Sequence, residues 1–204
     1  SKTTQIAAMM SNKGKIIAND PSRERLFKLK QNIETQHLQN TEIISQDGQS
    51  LWRLYPEYFD KVLLDAPCSM EGTFSYLVPK SFSYWSAKKI KVLSKQQKWL
   101  LRSAVSCTKP GGTIVYSTCT LSPEENEEVI SWILEKEKDT VQLEEISINH
   151  IGTYPPFTSY KNNRFDPEVH NTLRILPSNK MEGFYVAKLR KIRSNIASIP
   201  HAIA

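Results

Sequence analysis

Only seven glycines occur in the 204 residues, and no two of them frame a single residue as Gly-x-Gly. Nothing in the chain therefore reads as a glycine loop that cradles phosphate or the methionine end of a nucleotide cofactor. Cysteine is scarce as well. Cys68, Cys107 and Cys119 are odd in number and lack Cys-x-x-Cys spacing, which argues against a disulfide framework. His37, His150, His170 and His201 are scattered and form no paired-ligand motif, so no metal site is expected and they read as surface or structural residues. No apolar run approaches the roughly 20 residues of a membrane span, which sets membrane function aside. The opening Ser1-Lys2-Thr3-Thr4 does not read as a secretory signal, and unpaired thiols suit a reducing cytoplasm.

Acid is missing from one long stretch. Between Gly72 and Pro123 there is no Asp or Glu, while Lys80, Lys88, Lys89, Lys91, Lys95, Lys98, Arg102 and Lys109 all fall inside it. The net charge is +6, and these residues carry more than that surplus. Phe74, Tyr76, Phe82, Tyr84, Trp85 and Trp99 are interleaved with them, as a polyanion with exposed bases would require. A solvated lysine-rich helix with core aromatics is the plainer explanation of the same pattern. The following segment reverses sign, from Glu124 to Glu145.

What is present alternates between strand and helix. Thr3–Met10 reads as helix, Lys15–Asn19 as strand, Pro21–His37 as helix with Leu26, Leu29 and Ile33 inward, and Glu42–Ser45 as strand. Leu51–Tyr58 is irregular or a short helix, Phe59–Asp65 is a strand, and a long loop precedes a helix over Ser86–Cys107. That helix should bury Ile90, Leu93, Leu100 and Ala104. Pro110-Gly111-Gly112 turns into a strand ending at Tyr116, and Ser122-Pro123-Glu124-Glu125 has the capping-box form of a helix start, with Val129, Ile130, Ile133 and Leu134 inward. Leu173–Leu176 and Gly183–Leu189 resemble an antiparallel pair. The expected fold class is α/β: a doubly wound, mostly parallel sheet with an antiparallel edge, in one domain over residues 1–191 with a disordered tail over 192–204. The abrupt start at a helix, with no strand before it, suggests a truncated chain whose first strand is missing.

Two thiols fall at the ends of apolar runs, in Asp65-Ala66-Pro67-Cys68-Ser69 and Ser117-Thr118-Cys119-Thr120. Both runs read as buried parallel strands, and open α/β sheets bind ligands beyond such strand ends. Asp20, Asp47 and Asp65 also follow strand ends, where carboxylates accept from ribose hydroxyls, an adenine amino group or a substrate. For Asp47-Gly48 a plain turn is at least as good an explanation. Cys107, on a helix face outside any motif, reads as an ordinary buried thiol.

At these residues the chain resembles the S-adenosylmethionine-dependent RNA cytosine-5 methyltransferases, the Sun-related RNA methylases. Asp65-Ala-Pro-Cys-Ser69 with Glu71-Gly72-Thr73 resembles the first cysteine motif of that family. Tyr116-Ser-Thr-Cys-Thr-Leu121 with Ser122-Pro-Glu-Glu-Asn-Glu127 resembles the second. Ser1–Gln5 is similar to the tail of the cofactor loop, with Ser1 where a second Gly is usual. Arg174–Pro177 and Glu182–Lys191 resemble the closing hairpin, with Ser178 where His is common.

The resemblance implies a class I methyltransferase (Rossmann-like) fold, S-adenosylmethionine as methyl donor and RNA as partner, ribosomal RNA before transfer RNA. It further implies a cytoplasmic monomer without metal. Cys119 would be the nucleophile, Cys68 would serve product release, and Asp65 would contact the cytosine. Lys2, Asp20, Asp47 and Asp65 would lie at the cofactor. Two alternatives stand beside this. Pro67-Cys68 could supply the nucleophile, as in DNA cytosine-5 methylases, or the chain could bind RNA without methylating it. The truncated chain is expected to bind S-adenosylmethionine weakly or not at all.

Overall fold

The computed structural model describes residues 2–148, 152–179 and 181–196. The chain divides into two compact units, 1–51 and 52–204, where the sequence reads as one domain over 1–191.

The first unit holds helix α1 (Lys2–Met9), strand β1 (Ile16–Asn19), helix α2 (Arg23–Thr35) and strand β2 (Thr41–Ile44). Gly14 ends the α1 turn at φ +69°, a conformation open to glycine. β1 and β2 pair in parallel, Ile16 with Thr41 through Asn19 with Ile44. Pro21 does not open α2. Ser22 caps it, its hydroxyl accepting from the Arg25 N–H, because Asp20 holds the Ser22 N–H at 2.8 Å and sets the entry of the chain.

The second unit contains β3 (Phe59–Asp65), helix α3 (Ala87–Cys107), β4 (Thr108–Thr118), helix α4 (Glu127–Lys136), β5 (Val141–Glu144), β6 (Thr153–Tyr154), the β7–β8 hairpin (Ser159–Tyr160, Asn163–Arg164), β9 (Leu173–Ile175) and β10 (Phe184–Lys191). β3 and β4 are parallel, joined through α3. The expected antiparallel pair of β9 and β10 forms and does more. β10 also runs antiparallel to β4 and to β5, so the antiparallel part of the sheet is larger than a closing hairpin. The core lies where α3 and α4 meet this sheet, around Leu101, Val105, Ile114, Tyr116, Val129, Ile130, Ile133, Tyr185 and Leu189.

Four expectations are revised. β4 is a buried strand, but β3 is not: it is the edge strand of its sheet, and Leu63 is 41% exposed. The buried seam of α3 runs through Ile90, Ser94, Gln97, Leu101 and Ala104 rather than through Leu93 and Leu100, because two polar residues are drawn inward. Helix α4 begins at Glu127, capped at Asn126 rather than at the expected Ser122, since Glu125 and Asn126 are fully buried and bonded elsewhere. Within the segment expected to be disordered, Asn195 is buried and bonded to Lys191, Ser106 and Glu137; residues 197–204 lie outside the described residues.

Candidate active site

Residue alternation and strand register bring the two thiols together. In the parallel pairing Asp65 stands opposite Ser117, and the Ala66 N–H continues the ladder to the Ser117 carbonyl at 2.9 Å. The chain leaving β3 and the chain leaving β4 therefore emerge side by side. Cys68 Sγ and Cys119 Sγ lie 3.3 Å apart, both half-buried and neither in a disulfide. That distance is a thiol–thiol hydrogen bond, and it separates the two acids. The hydrogen bond from Cys68 holds the Cys119 thiol below its ordinary value, against burial and the nearby Asp65 and Glu182 carboxylates. Cys68 moves the opposite way, raised by that same bond and by burial. Cys119 is thus the better thiolate and Cys68 the better proton donor. Cys107 is remote from this chemistry, its thiol pushed by burial up to about 12.

Asp65 is exposed at the end of β3, with Ser117 Oγ 3.5 Å from Oδ1. Its charge lies close enough to the Cys119 thiol to oppose ionisation there.

The two cysteine segments are fastened from behind. Glu125 is completely buried and accepts from the Ser69 N–H at 3.1 Å, from Ser69 Oγ and from Gln97 Nε2 at 2.8 Å. Gln97 Nε2 also donates to the Pro67 carbonyl at 2.7 Å, and Ser69 Oγ meets Thr120 Oγ1 at 2.8 Å. Asn126 accepts from Thr118 Oγ1 at 2.6 Å and donates to the Thr120 carbonyl at 3.0 Å, so it braces both sides of Cys119. Gln97 is not singled out by its sequence, and Glu125 and Asn126 receive no site role from theirs. They read only within the Ser122–Glu127 run, as a helix cap and as part of the second motif of the resemblance.

Arg174 supplies a second brace. Its guanidinium forms a buried two-pronged pair with Glu127 at 2.5 and 2.6 Å and donates to the Leu121 carbonyl at 2.8 Å, with the Phe157 ring 4.5 Å away. This fork geometry is specific to arginine.

Of the four residues expected at the cofactor, Lys2, Asp20 and Asp47 belong to the first unit and Asp65 to the second. Asp20 follows β1 directly, half-buried, with Oδ1 accepting from the Ser22 N–H and both oxygens near Arg25 Nε at 3.0–3.1 Å. Asp47 Oδ1 accepts from the Gln49 N–H at 3.1 Å, the turn geometry its Asp-Gly sequence suggested. Lys2 opens α1, exposed.

The acid-free basic stretch divides in two. Lys98, Arg102 and Lys109 are engaged by acids from elsewhere in the fold: Glu128, Glu137 and Asp60, each at 2.8 Å. Lys80, Lys88, Lys89, Lys91 and Lys95 have no ion-pair partner among the described residues. The preceding loop exposes Tyr76 and Tyr84 almost fully, with Trp85 tied to Glu71 through its indole N–H at 2.8 Å. Among the described residues no helix is long and apolar enough to cross a membrane, and no group of three metal-ligating side chains converges.

An α/β fold that carries a thiol pair just beyond two adjacent parallel strands defines the class: it is a class I methyltransferase fold, and solved methyltransferase relatives share it. The chain belongs to the 16S rRNA methyltransferase RsmB/F family, whose profile matches residues 1–190. It is 41% identical over 197 residues to the tRNA (cytosine(49)-C(5))-methyltransferase of Pyrococcus abyssi, covering 95% of this chain and 61% of the relative. Against the ribosomal RNA small subunit methyltransferase F of Pectobacterium atrosepticum it is 38% identical over 194 residues, covering 95% of this chain and 38% of the relative. Among solved structures, NSun6 from Pyrococcus horikoshii with SFG superposes with a TM-score of 0.78 at 34% identity, covering 95% of this chain and 46% of that one. PH0851 gives 0.81 at 32% identity, covering 94% and 40%. The chain thus spans about two-fifths to three-fifths of the length of these relatives.

Proposed function

We propose that the protein is an RNA (cytosine-5) methyltransferase that works through a Cys119 adduct, on ribosomal RNA in the first instance and transfer RNA in the second. The observation that supports it most is the 3.3 Å contact of Cys119 with Cys68, which holds one thiol down and the other up. The relatives bear on the substrate by their names alone: one acts on transfer RNA, another on ribosomal RNA.

Carbon 5 of cytosine is a weak nucleophile. Addition of the Cys119 thiolate at carbon 6 forms an S–C bond and makes carbon 5 enamine-like, so that it can take up an electrophilic methyl group. Loss of the carbon 5 proton then reforms the ring double bond as the S–C bond breaks and the thiolate leaves. Asp65 at the end of β3 suits the N3/N4 edge of the cytosine, accepting from N4 and meeting the charge that builds on the ring. Cys68 suits the release step, where its thiol can donate a hydrogen bond to the Cys119 thiolate as that departs while a base takes the carbon 5 proton.

S-adenosylmethionine when bound supplies the electrophilic methyl group. The donor set of the first unit fits it: Asp20, anchored by the Ser22 N–H at the end of a parallel strand, has acceptors for a ribose diol. Asp47 would accept from the adenine amino group, and Lys2 would meet the carboxylate end. RNA would reach the thiols as an unstacked base, with Lys80, Lys88, Lys89, Lys91 and Lys95 binding phosphates without reading sequence. The reading takes the protein as a monomer in the cytoplasm and requires no metal.

The test is a denaturing gel of protein–RNA adducts. Cys119→Ser should abolish turnover and adduct together, while Cys68→Ser should leave a trapped covalent complex. The reverse pattern would transfer the nucleophile to Cys68. Binding of RNA with no adduct in any variant would reduce the protein to an RNA-binding module.

A further inference from the structure

Glu125 stands where a capping-box glutamate is expected, yet it caps nothing. Its side chain is fully buried and turned away from Ser122, toward the loop that follows β3. A buried carboxylate with no cationic partner is costly, and such groups persist where their hydrogen bonds do something apolar residues could not. Burial raises its pKa, and the bonds from Ser69 and Gln97 work against that rise.

The bonds converge on the thiol pair. Ser69 follows Cys68 directly and gives Glu125 both its N–H and its hydroxyl. Pro67 precedes Cys68, and its carbonyl is held by the same Gln97 amide that donates to Glu125. Thr120 follows Cys119, and its hydroxyl meets that of Ser69. The directions are consistent as a relay: the Ser122 N–H donates to Thr120 Oγ1, Thr120 to Ser69 Oγ, and Ser69 to the carboxylate. The backbone of Glu125 is itself pinned, its carbonyl accepting from the buried Tyr116 hydroxyl at 2.6 Å. One acceptor-only group thus gathers three donors, and through them both residues flanking Cys68 and one flanking Cys119.

We infer that Glu125 is a positioning residue for the thiol pair: its carboxylate clamps the Cys68 loop against the Cys119 segment and thereby sets the sulfur–sulfur contact. An amide in its place offers a donor where a donor already stands, so either a bond from the Ser69 N–H or Gln97 breaks or the Ser69 and Thr120 hydroxyls must reverse. The Cys68 loop would then swing, and Cys119 would lose the thiol that lowers its proton affinity. The catalytic meaning of this rests on the thiol reading above, but thiol chemistry can be measured without RNA or methyl donor.

The experiment follows alkylation of each cysteine by iodoacetamide against pH, resolved by peptide mass, in the intact protein. Glu125→Gln should move the Cys119 midpoint up toward the ordinary thiol value and slow its alkylation at pH 7 by about threefold to tenfold, with Cys107 unchanged. Ile130→Ala, a cavity in helix α4 just after Glu125, should lower the melting temperature without moving that midpoint. Gln97→Met keeps the carboxylate but frees Pro67; it should shift the midpoint in the same direction by less, and it serves if Glu125→Gln does not fold. A low wild-type midpoint left unmoved by both Glu125→Gln and Gln97→Met would overturn the positioning role alone. Equal shifts in Ile130→Ala and Glu125→Gln would also overturn it, as a general effect of stability. An ordinary midpoint in the wild-type protein would overturn the thiol pairing and this role together.

Discussion

Gly183 donates its backbone N–H to the carbonyl of Gly72 at 2.9 Å, and Gly72 in turn donates to the carbonyl of Cys119 at 2.9 Å. Three segments far apart in sequence are stacked backbone to backbone at the nucleophile proposed here. Neither glycine is needed for an unusual backbone angle. Gly72 is needed because nothing larger fits between the layers: a Cβ there would run into the Gly183 carbonyl and stand 2.9 Å from that of Cys119.

Gly72→Ala should therefore be far more damaging than an exposed glycine substitution. The backbone atoms it meets cannot rotate away, so the closing strand must lift from the Cys119 loop. A loss of roughly 1–3 kcal/mol is expected from urea unfolding. Gly152→Ala, which meets nothing within 4 Å, is the matched control and should leave the unfolding midpoint nearly unchanged.

The strand ends were legible because their signals are local. Val62-Leu63-Leu64 and Ile114-Val115-Tyr116 announce strands, and β3 spans the expected Phe59–Asp65. Ser86 announces its helix and caps it, accepting from the Lys89 N–H. What could not be read is what polar residues do once buried. Gln97 and Ser94 lie on the inward seam of α3, where an amphipathic pattern assigns polar residues to solvent. The Ser122–Glu125 cap failed for the same reason, because a long-range donor set outbid the local one. Lys191 occupies an inward position of β10 and is bonded to Glu57, the Val105 carbonyl and Asn195, so Asn195 was hidden in what read as a tail.

The lowered Cys119 thiol gives a pH dependence with a definite sign. A thiol whose pKa is depressed is already thiolate at a pH where an ordinary cysteine is protonated, so alkylation should rise and level off earlier than for free cysteine. The hydrogen bond from Cys68 is the leading cause, opposed by burial. Cys68→Ala removes the donor and should push the midpoint up; Cys68→Ser keeps a hydroxyl donor and should push it less. Stopped alkylation with mass readout measures both, and curves for the two variants that match the wild-type protein would remove the sulfur–sulfur contact as the cause.

Arg174 and Glu127 form a buried pair, so the costs of removing each partner should not add. Arg174→Met leaves a carboxylate stranded without its fork, and about 3–5 kcal/mol of stability should be lost. In Arg174→Met with Glu127→Leu the loss should be smaller than the sum of the single losses, although Phe157 and Leu121 still lose a hydrogen-bond partner. A double-mutant cycle in urea decides this, and strictly additive losses would show that the pair does not act as a unit.

Lys88, Lys91 and Lys95 lie one to two turns apart on the first half of α3, exposed and without an ion-pair partner among the described residues, whereas Lys98 on the same helix is bound to Glu128 at 2.8 Å. If the first three meet RNA phosphates, changing all three to Gln should lower the slope of log K against log salt by about 2 for a single-stranded RNA, near 0.7 per contact. Lys98→Gln should leave that slope unchanged, because its charge is already neutralised within the fold. Fluorescence anisotropy of a labelled RNA across a salt series measures both. Equal slopes for the triple variant and the wild-type protein would mean that the lysine face is solvated surface and that phosphate is held elsewhere.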